Sequence, residues 1–150
     1  MITPDPQKMD DVDKVRALMA NAIRYKNTDL ENACFRRICE LEGSDYSDPL
    51  VARLWQAVAA YEECLRKKHN GRAVKASYTR RKIKEKGAEQ TLIDWALDTK
   101  ETGGFEALLT NGMPELTGEY VVVEFADRFD PNVVKAAAKR LQEAGVPLPG

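Results

Sequence analysis

The stretch SDPLVARLWQAVAAYEECLRKK, residues 47–68, sits near the middle of the chain and decides how the rest is read. Asp48 can accept a free amide at a helix start, and Pro49 suits the first helical position. Leu54, Val58, Tyr61 and Leu65 then recur at helical spacing, with Trp55 and Ala59 beside them. The pattern continues to Lys67 or Lys68, and Asn70-Gly71 reads as a turn.

Towards the N-terminus, Val12, Val15, Met19, Ala22 and Ile23 form an apolar stripe predicting a helix over about 8–25. Asp10, Asp11 and Asp13 lie near its start, where the helix dipole favours negative charge. Asn27 and Thr28 end that helix and cap the next, Thr28 with Glu31 matching a capping box. Leu30, Cys34, Ile38 and Leu41 share one face of this second helix, Phe35 lies beside them, and Gly43 is a natural stop. Towards the C-terminus, helices are predicted over 73–86 and 89–97, interrupted at Gly87. Thr102-Gly103-Gly104 is a loop before a short helix with Phe105, Leu108 and Leu109. Residues 120–129 read as a helix capped by Thr117, with a short strand at 120–125 as the alternative because Tyr120-Val121-Val122-Val123 suits one. Asp130-Pro131 repeats the cap-and-proline signal before a last helix with Val133, Ala137 and Leu141, stopping at Gly145. The expectation is an all-α bundle of seven or eight short helices. Two small lobes, 1–70 and 71–150 with the basic helix in the second, would form one continuous domain.

The chain has 150 residues, 43% hydrophobic and 31% charged, which suits one folded domain and not a disordered chain. No stretch approaches the roughly 20 apolar residues that span a bilayer, and the first 25 residues lack a charged start followed by an apolar run. A cytoplasmic protein with no membrane partner is expected. Cys34, Cys39 and Cys64, an odd number, fit reduced thiols better than a disulfide framework. Cys34 and Cys39 fall about 140° apart on a helix, which argues against a zinc set with Cys64 and His69. With His69 as the sole histidine and no phosphate-binding glycine loop, neither cofactor nor metal is implied.

The net charge of −1 conceals a segregation. Residues 1–65 carry −4 and residues 87–150 carry −6. Residues 66–86 hold ten cations against Glu85 alone, a net +9. At a Debye length of about 8 Å such neighbours repel one another, so crowding them costs stability unless something negative lies opposite. Nucleic-acid phosphate is the leading candidate. The residues assigned to contact it are Lys67, Lys68, His69, Arg72, Lys75, Tyr78, Arg80, Arg81, Lys82, Lys84 and Lys86. Arginine supplies bidentate donors, and Tyr78 or His69 could stack on a base. DNA and RNA are not distinguished by charge alone.

Ile83, Gly87 and Ile93 fit the offsets of a helix-turn-helix, but its reading helix would carry Glu89, Asp94 and Asp98 and no cation. The contact is therefore placed on the helix before Gly87, with Leu92, Ile93 and Trp95 packing the helix after it. The leading expectation is a small non-enzymatic nucleic-acid-binding protein, a regulator or accessory factor. The alternative is a protein-interaction module or inhibitor, such as phages or mobile elements carry, docking on an acidic partner or a second copy of itself. A metal-dependent nuclease drawing on Glu115, Glu119, Glu124 and Asp127, or on Glu62 and Glu63, is the third reading.

Overall fold

The computed structural model describes residues 4–101 and 104–149. Of the loop predicted at 102–104, only Gly104 falls within them. The fold is all-α: α1 (Val12–Arg24), α2 (Thr28–Gly43), α3 (Pro49–Lys68), α4 (Ser77–Lys86), α5 (Ala88–Leu97), α6 (Phe105–Thr110), α7 (Gly118–Glu124) and α8 (Pro131–Glu143). Short 3-10 turns lie at Pro6–Lys8, Pro114–Leu116 and Ala126–Arg128. No described residue is in a strand, and no helix is long and apolar enough to cross a membrane.

The mid-chain helix is the spine. The Asp48 carboxylate accepts the Leu50 amide at 2.9 Å, with Pro49 at the first position, as its sequence predicts. One side of α3 buries Ala59 and Ala60 in a cluster with Val15, Met19, Phe35, Ile38, Leu108 and Met113. The other buries Leu50, Leu54 and Val58 with Leu92, Ala96, Val121, Val122, Val133 and Ala137. Each such large side chain contributes about 1.5–3 kcal/mol by leaving water. α3 is thus shared by an N-terminal layer of α1 and α2 and a C-terminal layer of α5, α7 and α8.

Several local expectations shift. α1 begins at Val12 rather than near Lys8, because the Asp11 carboxylate takes the amides of Asp13 and Lys14. Asn27, not Thr28, caps α2 through the Leu30 amide, which leaves Glu31 one position too far for a capping box. Gly43 does end α2, but it is required by proximity: a Cβ there would lie 2.6 Å from the Ala52 carbonyl on α3. Cys34 and Cys39 both lie fully buried, since α2 is packed between α1 and α3 and has two inward faces. Residues 120–124 are helical, with Thr117 capping through the Tyr120 amide. That helix stops at Glu124 and continues as a 3-10 turn. Asp130 precedes α8 without a side-chain capping bond.

Candidate nucleic-acid interface

The basic segment begins on the last turn of α3, turns sharply, and ends on α4. Asn70 (φ 58°) and Gly71 (φ 87°) adopt left-handed conformations that close α3, and the Gly71 amide reaches back to the Arg66 carbonyl at 2.9 Å. Residues 72–76 are not helical, so α4 starts at Ser77 rather than Ala73 and Lys75 lies before it. The reason is on α3. Ala76 has no side chain able to cap, and its amide is taken instead by the Glu62 carboxylate at 2.7 Å.

The same carboxylate holds Arg80. Nε and Nη2 of Arg80 each donate to Glu62 at 2.7 Å. The guanidinium also lies 5.3 Å from the Trp55 ring centre, and Trp55 stacks in turn on Tyr46 at 5.5 Å. Burial pulls the Glu62 carboxyl upward, but the Arg80 hydrogen bonds and the Ala76 amide outweigh it and leave it below its ordinary value. Those bonds also raise the Arg80 pKa.

Four further cations are engaged by the chain's own groups. Lys67 meets Glu31 at 2.6 Å, with its ammonium 5.7 Å from the centre of the Phe35 ring. Lys82, 16% exposed, meets Asp94 on α5 at 2.9 Å, and Lys86 lies 4.0 Å from the same carboxylate. The hydrogen bonds from Lys82 and Gln90 hold Asp94 below its usual pKa. Arg66 donates to the Gly71 carbonyl at 3.0 Å and lies 3.9 Å from Glu63.

The remainder faces water. Lys68, Arg72, Lys75, Arg81 and Lys84 are exposed, and among the described residues no carboxylate lies within ion-pair distance of them. His69 is exposed at the end of α3 and Tyr78 is 75% exposed on α4. Helical geometry explains the division on α4. Thr79, Arg80 and Ile83 point towards α3 and α5, while Tyr78, Arg81 and the exposed Glu85 occupy the opposite side and Lys84 lies on the flank between. The eleven residues of the sequence-based site therefore split into seven facing outward and four, Lys67, Arg80, Lys82 and Lys86, near internal carboxylates.

α5 packs inward, burying Thr91, Leu92 and Ala96. The acidic residues weighed for metal chemistry, apart from the exposed Asp127, are held by arginines. Glu63 takes Arg16 at 2.6 Å, Glu115 takes Arg36 at 2.8 Å, Glu119 takes Arg140 at 2.8 Å and Glu124 takes Arg53 at 2.9 Å. Among the described residues no group of three or more His, Cys, Asp or Glu side chains is placed to hold a metal ion. Sequence reasoning missed the role of Glu62, which positions α4. The available signal was the uncappable start of that helix, whose amide had to find a partner elsewhere. Comparison with protein-family models, curated proteins and solved structures finds no match to this chain.

Proposed function

We propose that this is a non-enzymatic nucleic-acid-binding protein of the cytoplasm. Its phosphate contacts come from Lys68, Arg72, Lys75, Arg81 and Lys84, with Lys86 at the edge and Tyr78 and His69 available to bases. One observation carries the reading. The fold pairs part of the basic segment with its own carboxylates and, among the described residues, leaves these five cations exposed with no carboxylate at ion-pair distance, although Lys75 still acts electrostatically on Glu62. Uncompensated like charges in one short segment cost stability, and a polyanion outside the chain removes that cost. Lys67, Arg80 and Lys82 then hold the surface in place and are not assigned primary phosphate contacts.

A salt titration tests this. Five neutralised phosphates give a slope of log affinity against log salt of about −4.5 for duplex and about −3.5 for single strands. Replacing Arg72, Lys75, Arg81 and Lys84 with glutamine abolishes most of that slope. Retained binding with an unchanged slope refutes the assignment. The same cations also suit an acidic protein surface. Binding to polyglutamate but to neither DNA nor RNA would move the protein to the interaction-module reading.

A further inference from the structure

Beside the last turn of α3 lies a groove of about 410 Å³, closed on its other side by α6. Tyr61, Cys64, Lys67, Lys68 and Asn111 line it, and Phe35, only 2% exposed, is at its edge. We propose that this groove takes one unpaired base of a single-stranded nucleic acid whose backbone lies along the basic segment. The inference rests on the nucleic-acid reading above and adds the form of the ligand to it.

Three features converge. The groove is large enough for a planar heteroaromatic ring, within the size range of small-molecule sites. Its lining pairs an aromatic and sulfur surface with a side-chain amide able to bond a base edge, the combination by which unstacked bases are held. The Lys68 ammonium, which has no ion-pair partner among the described residues, matches the phosphate that accompanies a base, while Lys67 stays with Glu31. Lys68 belongs both to the groove and to the set of cations that, among the described residues, have no carboxylate at ion-pair distance, so a backbone following that set reaches the groove. A base locked in a duplex cannot enter without leaving its stack, so single strands are favoured.

Cys64 supplies a native reporter. It is half-buried on the groove wall, whereas Cys34 and Cys39 are fully buried. The probes are two octanucleotides of equal charge, one fully abasic and one carrying a single adenine between abasic positions. The expected result is about 5- to 150-fold tighter binding of the adenine-bearing strand. It should also slow Cys64 alkylation beyond any effect of the abasic strand. Ala107→Leu, an exposed position on α6 lining the groove, should remove both differences while leaving abasic binding unchanged. A Cys64→Ser variant, followed by affinity alone, checks that the thiol is reporter and not cause. Equal affinity of the two strands with equal alkylation overturns the base site and leaves phosphate binding standing. Failure of both strands to bind overturns the nucleic-acid reading, and the groove assignment with it.

Discussion

Arg80 and Arg81 are adjacent in the chain, and replacing each with glutamine should give opposite outcomes. Arg80 makes two charge-assisted bonds to Glu62 and lies against Trp55. Such bonds are worth about 1.5–3 kcal/mol each when well buried. Here the Arg80 side chain is 36% exposed and that of Glu62 12%, so solvent screens the pair and the sum is discounted to about 2 kcal/mol. Glu62 would keep only the Ala76 amide among these bonds, half-buried and without its counter-charge. In a domain of this length about 2 kcal/mol lowers Tm by about 4–8 °C. Arg81 faces water with no carboxylate at ion-pair distance among the described residues, Glu85 one turn on staying unpaired with it, so its loss should change stability by less than about 0.5 kcal/mol. Binding should respond in reverse. Arg81→Gln removes one phosphate contact and lowers the magnitude of the duplex salt slope by about 0.9, whereas Arg80→Gln retains the slope at temperatures where the variant is folded. Thermal melts, urea titrations and fluorescence anisotropy at several salt concentrations read both quantities. Equal stability losses, or a loss below about 0.5 kcal/mol for Arg80→Gln, would refute the division of the basic segment into inward and outward sets.

Gly87 joins α4 to α5 at φ 90° and ψ 167°, a region almost closed to residues with a Cβ; Gly87→Ala should cost about 1–3 kcal/mol, and an unchanged urea midpoint would show that the turn relaxes freely. Glu119 has a fully buried side chain and faces Arg140; Glu119→Ala should cost about 3 kcal/mol, while replacing both residues by leucine should recover much of that loss in the same titration. Glu62 and Asp94 are both held below the ordinary carboxylate pKa, so their stabilisation is present above the unfolded value of about 4 and is lost as pH falls through the folded one. Urea midpoints should therefore fall on acidification below about pH 4, and fall less steeply in Glu62→Gln; an identical acid profile in that variant would remove Glu62 from the account.

The boundaries of α3 were legible because they depend on neighbours. Asp48, Pro49 and the Leu54–Val58 spacing act within a turn or two of the helix they specify. The start of α4 was not legible, since its first amide is satisfied by Glu62, fourteen residues earlier and on another helix. Gly43 was recognised as a stop, but the close approach of Ala52 that requires it depends on how α2 and α3 pack.

From the amino-acid order alone came the all-α class, the positions of most helices and the concentration of cations between 66 and 86. These are matters of local periodicity, capping and composition. Which of those cations remain available was decided only when distant segments met. Glu31 is 36 residues from Lys67, and Glu62 is 18 from Arg80. A charge in a sequence has no direction, and only the packing of α2, α3 and α5 around the basic segment determines which side chains turn inward.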